Sequence, residues 1–132
     1  MPGLTLFDGQ IGDGAEKLRL AVRRDFDSGH PFALDLNDDT WPLTLDTASR
    51  LARAGERIRW ALEGAAPKAE PYFRRKINFG DEMVMFELGI DAPTGVYLSW
   101  DDKRVVSVNG DLLRLLERIG EQVRDIRQAT RL

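Results

Sequence analysis

Apolar residues recur at two different periods along this chain, and a short segment, Gly64-Ala65-Ala66-Pro67-Lys68-Ala69-Glu70-Pro71, separates the two regimes. Ahead of it, Ala15, Leu18, Val22 and Phe26 fall at helical spacing behind Asp13-Gly14-Ala15-Glu16, a cap with an acid three positions on. This predicts a helix from about Asp13 to Ser28, closed by Gly29 and Pro31. Phe32, Leu34 and Leu36 then alternate with Ala33 and Asp35, the period of a short half-buried strand, and Asn37-Asp38-Asp39-Thr40 is turn chemistry. Thr44 or Asp46 can cap a second helix whose apolar face is Ala48, Leu51, Gly55, Ile58 and Leu62, running to about Glu63. Gly55 costs about 1 kcal/mol relative to Ala in a helix interior, so its presence predicts close packing against a neighbouring backbone.

Beyond the linker the period becomes two. Tyr72 to Phe79, Glu82 to Ile90, Gly95 to Trp100 and Arg104 to Val108 are separated by short turns, which implies antiparallel neighbours in a meander. Asn109-Gly110-Asp111 opens a last helix with apolar residues at Leu112, Leu116, Ile119, Val123 and Ile126. The expected architecture is α+β: a mostly antiparallel sheet, made of a four-stranded meander plus one N-terminal strand, covered by about three helices. No internal sequence repeat is evident. At 14.9 kDa the folded surface scales to roughly 7,000 Å² against about 21,600 Å² unfolded, so one core and a single domain over residues 1–132 are expected.

Composition narrows the chemistry. With no Cys and one His among 132 residues, disulfides, thiolate nucleophiles, zinc clusters and two-histidine metal sites are excluded, and no cofactor or metal is expected. No apolar run approaches the roughly 20 residues of a membrane-spanning helix, and Met1 to Gln10 has no basic region before an apolar stretch, so a cytoplasmic protein without membrane association is expected.

Three motifs resemble known sites only weakly. Asp35, Asn37 and Asp39 with Asp46 echo the first, third, fifth and twelfth positions of a calcium loop, but Thr40 replaces the turn glycine and Pro42 interrupts the loop. An acidic turn that caps a helix is the simpler reading. His30 lies near Asp25, Asp27 and Asp35 with no recognisable nucleophile, which suits an exposed loop residue. Gly9-Gln10-Ile11-Gly12-Asp13-Gly14 precedes the first expected helix but lacks the phosphate-binding Lys, so a flexible loop is expected there.

Charge is more informative when taken by position. The net charge of −3 conceals +5 over residues 50–76, set between −4 over 29–49 and −5 over 77–111. Arg50, Arg53, Arg57 and Trp60 share one face of the second helix, and Arg74-Arg75-Lys76 follows on the first meander strand with Tyr72. Arg, Trp and Tyr are the residue types of protein hot spots, which makes Arg50, Arg53, Arg57, Trp60, Arg74 and Arg75 the candidate protein-binding residues, with Trp41 and Trp100 as further anchors. The bland alternative is a solvated helix face with Trp60 packed into the sheet. On the last helix, Glu117, Glu121 and Asp125 form one row beside Arg114 and Arg118; Arg114, Glu117, Arg118 and Glu121 are the candidate contact for a homodimer.

The leading expectation is a non-enzymatic protein-binding module, of the inhibitory, immunity or chaperone-like kind, whose partner is another protein or a second copy of itself. One alternative is a small metal-free enzyme using two carboxylates from Asp35, Asp38, Asp39, Glu82 and Glu87 as acid and base, with no catalytic residue singled out. The other is a nucleic-acid-binding accessory protein using the Arg50 to Lys76 basic segment, which an isoelectric point near 5.2 disfavours.

Overall fold

Leu18, Leu20 and Val22 alternate strictly with Arg19 and Ala21, and burial of all three apolar residues makes this stretch a strand rather than the expected helix. The apolar set at Leu18 and Val22 satisfies both periods, and the partner strands on either side decide in favour of the sheet. Of the rest of the expected first helix, Lys17 and Asp25 are not helical, and 13–16 and 26–28 lie outside the described residues. The computed structural model describes residues 4–12, 17–25, 29–64, 71–79, 82–91, 95–100, 103–108 and 110–130.

In chain order the elements are β1 (Leu4–Ile11), β2 (Leu18–Arg24), β3 (Phe32–Leu36), β4 (Asp39–Leu43), α1 (Leu45–Glu63), β5 (Phe73–Phe79), β6 (Glu82–Asp91), β7 (Gly95–Trp100), β8 (Lys103–Ser107) and α2 (Asp111–Thr130). The α+β class matches expectation, but the layout differs: two four-stranded antiparallel meanders, β1-β2-β3-β4 and β5-β6-β7-β8, and two helices. The Gly9 to Ile11 stretch belongs to β1 rather than to a loop before a helix. The acidic turn is a tight hairpin: Asn37 takes φ +57°, a conformation Asn tolerates, and its side-chain oxygen accepts the Arg19 N–H at 3.0 Å. Pro42 is accommodated because β4 is an edge strand.

Although the sequence shows no repeat, the fold is a duplication. The pairs Phe7–Val22, Gly9–Leu20 and Ile11–Leu18 recur as Phe73–Leu88, Arg75–Phe86 and Ile77–Val84, each residue displaced by half the chain's 132 positions. Leu34–Trp41 likewise recurs as Leu98–Val105. In the helices, Leu51, Gly55 and Ile58 correspond to Leu116, Gly120 and Val123. What repeats is the inward-facing apolar pattern and not the identity of residues, which is why the duplication escapes inspection of the sequence.

Contacts between the halves obey the same symmetry. Edge β4 meets β5 as β8 meets β1, α2 packs on β1 as α1 packs on β5, and α1 and α2 pack on each other. One hydrophobic core therefore serves both halves, with Leu20, Leu34, Leu51, Phe86, Leu88, Leu98, Leu112, Leu115, Leu116 and Ile119 around its centre. Thr44 caps α1 through its hydroxyl, which accepts the Thr47 N–H at 3.2 Å.

Candidate functional site

A helix face and a strand edge build the site. On α1, the residues at 48, 51, 55 and 58 are turned into the core, which leaves Arg50, Arg53, Arg57 and Trp60 on the exposed side. On β5, Phe73, Arg75 and Ile77 stand opposite Leu88, Phe86 and Val84, so they form the row directed to the core side of the sheet. Ile77 is buried and Phe73 half-buried, while Arg75 between them is exposed. A guanidinium at a core-facing register position implies that the helix does not cover that part of the strand.

The uncovered space is an open groove of about 510 Å³ lined by Arg50, Arg53, Ala54 and Arg57 of α1 and by Tyr72, Phe73, Arg74 and Arg75. Its apolar lining is Ala54, Tyr72 and Phe73, and five guanidiniums surround it. Two of the five are neutralised within the protein: Arg50 pairs with Asp46 at 3.1 Å one turn before it, and Arg74, turned to the opposite face of the sheet, pairs with Glu87 across the ladder at 3.1 Å. Arg53, Arg57 and Arg75 have no ion pair among the described residues. Lys76 stands opposite Met85, on the face opposite Arg75, so the Arg74-Arg75-Lys76 run is divided between two surfaces by strand alternation.

Trp60 is 75% exposed, so it does not pack into the sheet. A second hollow of about 460 Å³, lined by Arg53, Glu56, Arg57, Arg59, Trp60 and Glu63, adjoins the groove through Arg53 and Arg57. The other two tryptophans are buried: Trp41 packs on Phe86 with ring centroids 5.3 Å apart, and Trp100 has the Lys103 ammonium over its ring. Neither is placed to act as a surface anchor. Phe73 and Ala54, which sequence reasoning passed over, complete the groove; the alternation of Phe73 with Arg75 was the signal that could have found the former.

The duplicated fold supplies an internal control. The positions in the other half equivalent to Arg50, Arg53, Arg57, Arg74 and Arg75 are Leu115, Arg118, Gln122, Asp8 and Gly9. There α2 meets β1 more extensively than α1 meets β5, and the Phe7 ring packs beside Gly9. Asp8 is taken by Arg19, which donates to both its oxygens at 3.0 and 3.3 Å and holds the carboxyl below the usual carboxylate range. The two equivalent crevices thus differ in charge: where this groove has five arginines, the other half has one, Arg118, and an Asp8 already paired.

The remaining candidates are dispersed or engaged. On α2, Arg114 pairs with Asp111 at 3.2 Å and Glu117 with Arg59 of α1 at 2.7 Å; Arg118 and Glu121 are exposed. Asp35 is clamped by Arg23 and by the Thr40 hydroxyl at 2.7 Å, and Asn37 is spent on its turn, so the calcium-loop-like residues do not converge. Among the described residues no group of three or more His, Asp or Glu side chains is arranged to hold a metal ion. Asp35, Asp38 and Asp39 belong to the first sheet's hairpin and Glu82 and Glu87 to the second sheet, and none of the five lines the groove. His30 is exposed. Among the described residues no helix is long and apolar enough to cross a membrane. No protein-family model and no curated protein matches the chain, so the functional reading rests on this geometry.

Proposed function

We propose that this protein is a non-enzymatic binding module, of the inhibitory or chaperone-like kind, that holds another protein through the α1–β5 groove and the adjoining Trp60. The observation that carries this reading is the conjunction of an exposed tryptophan with a groove in which three arginines have no ion pair among the described residues. Exposed Trp and Arg are the side chains that most often dominate binding energy at interfaces, because each brings a large contact area with a directed polar group. A second copy of the chain is a weaker candidate partner, since Arg114 and Glu117 of the α2 row are already engaged within the chain.

The test is site-directed photocrosslinking in extract of the host cell, with benzoylphenylalanine replacing Trp60 and, as a control, Met83, an exposed residue of β6. The expected result is one discrete protein adduct from position 60 that weakens on Arg53→Glu substitution. Equal adducts from both positions, or adducts only to nucleic acid, would overturn the proposal.

A further inference from the structure

Resting on the protein-binding reading, we infer that the groove receives a short acidic segment of the partner in extended conformation, its carboxylates meeting Arg53, Arg57 and Arg75 and an apolar side chain covering Trp60. Charge complementarity selects the class. Arg50 and Arg74 already hold Asp46 and Glu87, so the groove offers three guanidiniums with no ion pair among the described residues, on a lining that includes Ala54, Tyr72 and Phe73. Arginine presents a planar fork of donors that matches a carboxylate, and such pairs strengthen in a partly desolvated groove.

Spacing selects the conformation. Arg53 and Arg57 are one helical turn apart, a rise of about 6 Å. Same-side residues of an extended chain repeat at about 7 Å, so alternate acidic residues match the two guanidiniums without distortion. The edge position of β5 and its inward-facing Arg75 then supply the opposite wall.

The hollow around Trp60 separates an acidic peptide from a nucleic acid. Glu56 and Glu63 line it together with the indole. A base stacked on Trp60 would bring its own phosphate near these two carboxylates, whereas a peptide can place a neutral Leu or Phe there and keep its charges over the arginines. Acidic stretches elsewhere, −4 over residues 29–49 and −5 over 77–111, would also repel a polyanion longer than the groove.

The intrinsic fluorescence of the full chain reports occupancy, because Trp60 is the exposed member of three tryptophans. Three probes are titrated at low salt: a nine-residue peptide of Glu-Glu-Leu repeats, the same peptide with Gln for Glu, and a nine-nucleotide oligothymidylate. The inference expects a saturable blue shift with the Glu peptide, at least tenfold weaker binding of the Gln peptide, and at least tenfold loss of the Glu peptide on Arg53→Gln or Arg75→Gln with an unchanged circular dichroism spectrum. Two substitutions on different elements keep the test valid if one of them perturbs folding. No saturable response to millimolar Glu peptide overturns the inference, and the crosslinking at position 60 then decides the protein-binding reading separately. Equal binding of the Gln peptide overturns the acidic specificity and leaves protein binding standing. Tighter binding of oligothymidylate overturns both.

Discussion

A Cβ built on Gly55 of α1 would lie 2.7 Å from the Cβ of Leu116 of α2, so the two helices cross where one of them has no side chain. The equivalent position in the second helix, Gly120, is less tight, its Cβ falling 3.3 Å from that of Ala52. Gly55→Ala gains about 1 kcal/mol of helix propensity but forces apart two core helices, and overpacking typically costs 1–3 kcal/mol. A net loss of about 1 kcal/mol is expected, whereas Gly120→Ala should be neutral or slightly stabilising. Thermal unfolding of the two variants beside the parent checks the contrast; a Gly55→Ala protein as stable as Gly120→Ala would mean that the crossing is not close.

Tyr97 lies over Gly89 on the outer face of the second sheet, with the Arg104 guanidinium stacked 3.9 Å from its ring centroid. Burial first, and the Glu87 carboxylate second, raise its pKa above the usual 10, against the opposing effect of Arg104. The unfolded chain therefore ionises this phenol at lower pH than the native protein does. Stability from this source is fully present below pH 10 and is lost as pH rises through the native pKa. Denaturant melts between pH 9 and 11.5 should show that decline, and Tyr97→Phe should flatten it. An identical decline in the variant would assign the alkaline loss to other groups.

Burial makes the three tryptophans unequal reporters: Trp41 and Trp100 are 8% and 4% exposed against 75% for Trp60. Acrylamide should quench one fraction of the native emission strongly and the rest weakly, and Trp60→Phe should remove the strongly quenched fraction. Because the indole contributes little to the core, the melting temperature of that variant should stay within about 2 °C of the parent, the range of surface substitutions of about 0.5 kcal/mol. A loss of several degrees would show that Trp60 is packed.

The second half of the fold was readable because its apolar residues alternate between turns too short for anything but antiparallel neighbours. In the first half, Ala15, Leu18, Val22 and Phe26 fit a helix, while Leu18, Leu20 and Val22 fit a strand, and local pattern cannot arbitrate between them. Long-range pairing does: Leu20 and Val22 lie between Gly9 and Phe7 on one side and Leu36 and Leu34 on the other. The site was half legible for a related reason. Spacing placed Arg50, Arg53, Arg57 and Trp60 on one helix face, but that Arg75 and not Arg74 turns toward them depends on the register of β5 with β6, and the contrast with the other half depends on a duplication visible only in three dimensions.

Gathering Arg53, Arg57 and Arg75 around one groove, with no ion pair to them among the described residues, sets like charges against one another in the free protein. Like-charge neighbours on a helix cost a few tenths of a kcal/mol each, and such binding-site strain is commonly relieved by neutral substitutions that abolish function. The double variant Arg53→Gln, Arg75→Gln should therefore be more stable than the parent by about 0.5 kcal/mol at low ionic strength. Screening shortens the reach of these charges to about 3 Å at 1 M salt, so the advantage should vanish there. Urea melts of both proteins at 10 mM and 1 M sodium chloride measure the difference directly. A variant less stable than the parent at low salt would mean that these arginines are held by attractive contacts within the protein, which would remove the reason to expect an acidic partner for them.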